Sequence, residues 1–132
     1  MSKRLENASM WLFTQYGFFS TVCARKGDGS RNNAVDEGRV MVRARLRGHL
    51  EALKSRFPEE LGGLEIMETP ETDYRYRLFV DKAVWVRVLK LLGEELDYDN
   101  FKSKVARNLA AVGGEYERSL HDVWDTMQRL QR

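Results

Sequence analysis

The sequence predicts an α+β fold: a single domain with an antiparallel sheet of two β-hairpins, four to five strands in all, α-helices packed on the sheet, and a helical C-terminal portion. Segments in which apolar and polar residues alternate, as in a strand, occur in two groups. Apolar residues at every third or fourth position, as in a helix, follow each group. Strands grouped in this way, with helices between the groups, are typical of helices packed on an antiparallel sheet.

The first hairpin is predicted from the apolar run that begins at Trp11. Gly17 interrupts the run and indicates a bend, and the part of the run with the clearer strand pattern covers residues 18–25. Glycine, asparagine and aspartate are frequent in residues 26–38, a composition typical of a loop. An alternating segment over 39–46 then completes the hairpin.

The second hairpin is expected after a short helix. Apolar residues at positions i, i+3 and i+7 predict a helix over 49–57, and Pro58 ends it. Strand-like segments follow over 64–69 and 73–80. Residues 70–72 between them are a natural turn centre.

Three helices are predicted after the second hairpin. Asp81 is the expected N-cap of a helix over 82–95, and Asp97 or Asp99 starts the next one. The last helix covers about residues 115–131. Its apolar residues have the 4-3-4-3 spacing of a packed or coiled helix: Tyr116, Leu120, Val123, Met127 and Leu130.

The alternation in each element also predicts which side chains form the core. Each of these residues lies on the apolar side of its own strand or helix: Val42, Ala44, Leu46, Leu50, Leu53, Tyr76, Leu78, Val84, Val88, Leu92, Phe101 and Val105.

Length, charge and cysteine content limit the class of protein. The 132 residues fit one domain over 1–132, with residues 1–9 expected as a loose N-terminal extension. With 22 basic and 20 acidic residues the net charge is +2, which argues against a nucleic-acid binder that relies on bulk charge. The single cysteine, Cys23, cannot form an internal disulfide and lies in an apolar run, as a buried thiol does. There is no apolar run of about 20 residues and no signal-peptide pattern, so we expect a cytoplasmic protein without a membrane partner.

Arginines on the predicted strands are the feature that bears most on function. In the strand over 39–46, Arg43 and Arg45 point away from the apolar face. If both hairpins belong to one sheet, arginines of the strand over 73–80 lie on the same broad face. Guanidinium groups around an aromatic ring bind acidic groups and nucleic-acid phosphates. The predicted binding residues are Arg43, Arg45, Arg75, Arg77 and Phe19.

The same arginines also fit a structural role. Glu65 is expected near Arg77 across the second hairpin, as an ordinary cross-strand ion pair. The C-terminal helices would supply further carboxylates from Glu94, Glu95 or Asp97. The sequence therefore leaves three roles open for the arginines: internal ion pairs, binding of a protein or acidic peptide, and binding of nucleic acid or a phosphate ligand.

No motif in the sequence predicts a catalytic, metal or cofactor site. His121 lies one helical turn from Trp124, but no second catalytic group follows or precedes it at a spacing typical of a catalytic pair. The favoured interpretation is a histidine on the surface of the helix. Residues 97–102 carry clustered acids without the glycine and glutamate of a calcium loop. We therefore expect no metal and no cofactor, and the sequence favours a non-catalytic protein without deciding against an enzyme.

The sequence resembles a family of small uncharacterised bacterial proteins. The segments that carry the resemblance are MWLFTQYGFFSTV at 10–22, VRARLRGHLEAL at 42–53, YRYRLFVDKAVW at 74–85, DYDNFKSKV at 97–105 and HDVWDTMQRLQ at 121–131. The resemblance implies one complete domain. It implies no activity, so no functional residue is carried over from the family.

The sequence favours a non-catalytic interaction module that binds another macromolecule. A protein partner is preferred, because arginine and tyrosine are enriched at protein interfaces. Such a module would be an adaptor or inhibitor, for example a mobile-element-encoded inhibitor of a bacterial defence system. RNA or single-stranded nucleic-acid binding through the arginines is the first alternative, and a metal-independent hydrolase or nuclease that uses His121 is the second. The apolar seam of the C-terminal helix makes homo-oligomerisation a further alternative.

Overall fold

The computed structural model describes residues 9–108 and 113–131. The strands are β1 (Met10–Thr14), β2 (Gly17–Arg25), β3 (Val35–Ala44), β4 (Met67–Glu68) and β5 (Tyr76–Asp81). The helices are α1 (Arg47–Arg56), α2 (Pro58–Leu61), α3 (Lys82–Glu94), α4 (Phe101–Arg107) and α5 (Gly114–Gln128). The strands form one antiparallel sheet in the order β1-β2-β3-β5-β4, so the α+β prediction is confirmed. The predicted extension over residues 1–9 lies, apart from Ser9, outside the described residues.

The turn between β1 and β2 depends on Gly17. Its φ of 145° lies in the region that favours glycine, and a Cβ added there would be 2.3 Å from Cγ of His49. The Thr14 hydroxyl donates to the Gly17 carbonyl at 2.9 Å and closes the turn. The bend predicted at this glycine is therefore a tight hairpin turn packed against the start of α1.

Strand β3 is the centre of the sheet and sets its register. It begins at Val35, four residues earlier than the predicted 39, so the connecting loop is shorter than predicted. Val42 is opposite Thr21 of β2 and Leu78 of β5. Directly opposed residues of an antiparallel pair point to the same face, so these three side chains point to one side.

The inner face of the sheet forms the main core with α1, α2 and α3. Its fully buried members include Phe19, Val42 and Leu78 from the strands, and Leu50 and Leu53 from α1. Of the predicted core residues, six are buried: Val42, Ala44, Leu50, Leu53, Leu78 and Val88. Val105 is also buried, but in a second cluster, and four more are partly buried: Tyr76, Val84, Leu92 and Phe101.

Three local predictions were wrong. Leu46 is 44% exposed, because β3 ends at Ala44 and Leu46 becomes the residue before α1. Helix α4 is capped by Asn100, whose side chain accepts from the Ser103 amide at 3.0 Å, and not by an aspartate. Only Met67–Glu68 of the predicted strand over 64–69 pairs with β5.

The C-terminal helices pack against the other face of the sheet, near the β1–β2 turn. Val105 of α4 and Tyr116 and Leu120 of α5 form a small cluster against Phe18. The Tyr116 hydroxyl donates to the Thr14 carbonyl at 2.7 Å. The rest of the predicted seam is less buried: Met127 is 58% exposed and Leu130 is 73% exposed. Over the described ranges, no helix is both long and apolar enough to cross a membrane.

Candidate binding site: the arginine face of the sheet

The face of the sheet opposite the core carries several arginines. Arg43 on β3 is directly opposite Arg77 on β5, and Ser20 on β2 is opposite Arg43. Because Val42 points into the core, its neighbour Arg43 points to the other side. We call this surface the arginine face and define it by four arginines and five rings: Arg39, Arg43, Arg45, Arg77, Trp11, Phe13, Phe18, Tyr74 and Phe79.

Arg43 is held in place by a hydroxyl and an aromatic ring. Its Nη2 donates to the Ser20 hydroxyl at 2.8 Å, and its guanidinium carbon lies 4.7 Å from the centre of the Tyr74 ring. Burial lowers the pKa of Arg43 below the usual arginine value, because it removes water from the charged form. Its Nε is buried and has no hydrogen-bond partner within the described part of the chain.

Arg77 is held by the turn that precedes β5. Its Nη2 donates to the Thr72 hydroxyl at 3.0 Å and to the Tyr74 carbonyl at 3.2 Å. The pKa of Arg77 is also lowered, first by burial and then by the positive charge of Arg43. Two guanidinium groups therefore face each other across the strands, in an environment that disfavours their charges.

Arg45 and Arg39 extend the positive surface along β3. The guanidinium carbon of Arg45 lies 4.5 Å from the centre of the Tyr74 ring, and its Nε donates to the Asp73 carbonyl at 3.4 Å. The guanidinium carbon of Arg39 lies 4.5 Å from the centre of the Phe79 ring. Both of these arginines are exposed to solvent.

No carboxylate of the described residues forms an ion pair with any arginine of the face. Met67 is opposite Arg77, so the ion pair predicted between Glu65 and Arg77 does not form. Glu95 binds Arg56 and Asp97 binds Lys104, on other surfaces of the molecule. Across residues 9–108 and 113–131, two of the carboxylates expected to neutralise the arginines pair elsewhere, and the other two, Glu65 and Glu94, form no ion pair.

The aromatic rings of the face are mostly covered by neighbours. Tyr74 carries two guanidinium groups, and Phe13 stacks on Phe18 with ring centres 4.7 Å apart. Trp11, on the edge strand β1, is 60% exposed. The rings thus hold guanidinium groups in position, and Trp11 supplies a large apolar contact at one side of the face.

Two of the predicted binding residues do not belong to the arginine face. Phe19 is fully buried in the core, on the opposite side of the sheet, and its neighbour Phe18 has the predicted place. Arg75 forms an ion pair with Glu68 at 3.6 Å and lies over the Tyr76 ring. The cause is the turn before Tyr76, which breaks the strand alternation assumed for residues 73–75. The structure brings together Arg43, Arg45 and Arg77, as predicted, and adds Arg39 and Tyr74.

The other predicted chemistry gains no geometric support. His121 is exposed on α5, and its Nδ1 lies 3.5 Å from Nζ of Lys102. A cation at that distance does not orient an imidazole as a carboxylate would. Nowhere in the described ranges do three His, Cys, Asp or Glu side chains group as metal ligands would.

A groove between α1 and α3 is lined by charged residues that pair with each other. Arg56 binds Glu95 at 2.7 Å, and Arg87 binds Glu60 at 3.5 Å. Its two arginines are thus neutralised within the chain. Among the described residues none of the four cations of the arginine face forms an ion pair, and only a weaker electrostatic interaction with Asp73 acts on Arg43, so this face is the better candidate for a binding site.

Comparison with protein-family models, with curated proteins and with solved structures gives no significant match to this chain.

Proposed function

We propose that the protein is a non-catalytic interaction module whose arginine face binds an acidic segment of another protein. The observation that carries this proposal is the set of four guanidinium groups on one sheet face, none of which forms an ion pair with a carboxylate among the described residues. The Asp73 carboxylate acts on Arg43 through its charge but forms no ion pair with it.

The electrostatics of Arg43 and Arg77 support an external partner. Each is partly buried and each has a lowered pKa, so the free protein holds two cations in surroundings that stabilise their charge less well than water does. Partly desolvated charges interact more strongly with an incoming anion than solvated ones do. A carboxylate placed between them would offset both the burial and the mutual repulsion.

The state of the rings supports a protein partner over nucleic acid. Single-stranded nucleic acid binds when bases stack on free ring faces. On this face, arginines cover Tyr74 and Phe79, and Phe13 stacks on Phe18. Arginines fixed on aromatic rings, with an exposed tryptophan beside them, match the composition of protein-interface hot spots.

Nucleic acid is the second candidate, supported by the same uncompensated charge. Guanidinium groups bind phosphate as readily as carboxylate, and Trp11 offers one ring on which a base can stack. The two candidate functions predict different ligands for the arginine face: an acidic peptide in the first case and a single-stranded nucleic acid in the second.

A narrower form of the proposal is an adaptor or inhibitor in the bacterial cytoplasm, such as a mobile-element-encoded inhibitor of a bacterial defence system. Binding without chemistry is sufficient for such a role. Self-association through the exposed apolar residues of α5, Met127 and Leu130, is compatible with it.

The test measures binding of a labelled peptide that alternates glutamate and leucine, by fluorescence anisotropy. Arg39→Glu combined with Arg45→Glu reverses two exposed charges of the face, and we expect at least a tenfold loss of affinity. Arg47→Glu combined with Arg75→Glu makes the same charge change outside the face, and we expect less than a twofold loss. Equal losses for the two variants would mean that only net charge matters. Tighter binding of oligouridylate than of the peptide, lost in the face variant alone, would favour the nucleic-acid candidate.

A further inference from the structure

We propose that Arg43 and Arg77 together form one carboxylate-binding subsite at the centre of the arginine face. This inference rests on the proposed function and specifies it: the partner presents one Asp or Glu side chain that both guanidinium groups bind at once. Arg39 and Arg45 then act as the outer, solvent-exposed contacts.

The two guanidinium groups are fixed before any ligand arrives. Arg43 is held by the Ser20 hydroxyl and the Tyr74 ring, and Arg77 is held by Thr72 and the Tyr74 carbonyl. Tyr74 contacts both arginines and therefore fixes their relative position. A ligand that binds to preorganised groups orders fewer side chains on binding.

Hydrogen-bond capacity remains for an incoming anion. A guanidinium has five N–H donors. Within the described residues, Arg43 uses one donor, to Ser20, and its Nη1 has no acceptor. Nη1 of Arg77 has only the weak thioether acceptor of Met41, at 3.5 Å. A carboxylate has two oxygens, so it can accept from both arginines at once.

The charges of the pair also indicate a shared ligand. Like charges directly opposite each other on a sheet destabilise it. The charge of Asp73 offsets part of this repulsion at Arg43, but no carboxylate of the described residues forms an ion pair with either arginine. One anion between the two cations removes this repulsion, whereas an anion at either arginine alone would remove only part of it. The arrangement therefore favours one ligand group for the two arginines.

This account predicts that the subsite lowers the stability of the free protein. Methionine at either position keeps an unbranched chain and removes the charge. Neither change leaves a buried partner without a hydrogen bond, because Ser20 keeps Ser9 and the Tyr74 carbonyl keeps the Thr72 hydroxyl. We expect Arg43→Met and Arg77→Met each to keep or raise the thermal unfolding midpoint in the absence of peptide.

The binding test uses the same glutamate–leucine peptide and a double-mutant cycle. Arg43→Met and Arg77→Met should each weaken binding at least tenfold. The double variant should be no more than about threefold weaker than either single variant, because the second change removes nothing once the shared contact is lost. Arg75→Met, which removes an arginine outside the face, is the control and should leave affinity within twofold.

Arg43→Lys adds a variant that keeps the charge. Lysine lacks the planar fork of the guanidinium, so binding should still weaken at least fivefold if Arg43 binds a carboxylate through two N–H groups. Full retention of affinity by this variant would contradict a directed contact and overturn the inference.

The remaining outcomes separate this inference from the proposed function. A midpoint lowered by more than about 5 °C in both methionine variants would make the pair structural. Losses that multiply in the double variant would show two independent contacts. Either result would overturn the shared subsite. Unchanged affinity in the methionine variants, with binding abolished by Arg39→Glu combined with Arg45→Glu, would also overturn it. In that last case the proposed function would still stand. If wild-type protein binds oligouridylate and not the peptide, both the subsite and the protein-binding function are wrong.

Discussion

Glu95 joins three parts of the fold, and replacing it with glutamine tests how strongly they depend on one another. Its carboxylate accepts from the Tyr16 hydroxyl at 2.5 Å and from Nε of Arg56 at 2.7 Å. Tyr16 lies in the β1–β2 turn, Arg56 ends α1, and Glu95 follows α3. The Glu95 side chain is only 16% exposed, so these contacts are partly shielded from water.

The expected cost of Glu95→Gln is about 2 kcal/mol. A hydrogen bond to a charged group contributes about 1.5–3 kcal/mol. Arg56 is half exposed, so its ion pair adds only about 0–1 kcal/mol. Glutamine keeps one acceptor oxygen and places an amide opposite a donor, so most of this contribution is lost. For 132 residues the entropy of unfolding is about 0.28 kcal/mol per degree, so the midpoint should fall by about 7 °C.

The assay is thermal unfolding followed by circular dichroism, with Glu94→Gln as the control. Glu94 is the adjacent exposed glutamate and makes no ion pair among the described residues, so its replacement should change the midpoint by less than about 2 °C. Equal shifts for the two variants would refute this account, because the effect would then come from net charge. No shift for Glu95→Gln would show that the three-part junction does not stabilise the fold.

Two further predictions concern the same region. Burial and the neighbouring Glu95 raise the pKa of Tyr16 to about 12, above its usual value of about 10, so the neutral phenol stabilises the fold. This stabilisation is fully present below about pH 10 and is lost as pH rises towards 12. In urea unfolding, the free energy of unfolding of wild type should therefore fall relative to that of Tyr16→Phe between these two pH values. A difference that stays constant with pH would contradict the prediction. Gly17→Ala should lower the free energy of unfolding by about 2–4 kcal/mol in the same assay, because of the φ of 145° and the nearby His49 ring. Gly63→Ala is the control: a Cβ there has no neighbour within 4 Å, so the loss should be less than about 0.5 kcal/mol.

Strand alternation was enough to predict the centre of the arginine face. Val42 and Ala44 are apolar residues on either side of Arg43, so the period of two fixes the direction of Arg43 and Arg45. The helices were predicted from apolar spacing for the same reason, since one stripe of each faces the core.

The edges of the face depend on interactions that sequence periodicity does not encode. Phe18 and Phe19 lie in a continuous apolar run, and only pairing with β1 and β3 decides which one enters the core. Hydrogen bonds from the Thr69 and Thr72 hydroxyls to the Tyr74 carbonyl form a turn that brings Tyr74 over the arginines. Such side-chain to backbone bonds end the alternation, which explains why Arg75 contacts Glu68 and does not join Arg43 and Arg77.

The carboxylate of this chain that pairs with Arg56 could not be predicted, because it is distant from that arginine in the sequence. Glu95 reaches Arg56 across 39 residues, a contact set by the packing of α3 against α1. Sequence alone offered several carboxylates for the arginines and gave no way to choose among them.

The measurement that tests the central claim most directly is a map of amide chemical-shift changes as the glutamate–leucine peptide is titrated into wild-type protein. It requires no substitution, so it does not depend on how a variant folds. We predict that the largest changes occur at Arg43, Arg45 and Arg77 of the arginine face and at the neighbouring Ser20. Changes confined to the exposed side of α5 around Met127 and Leu130, or to the groove between α1 and α3, would contradict the claim that the arginine face is the binding site.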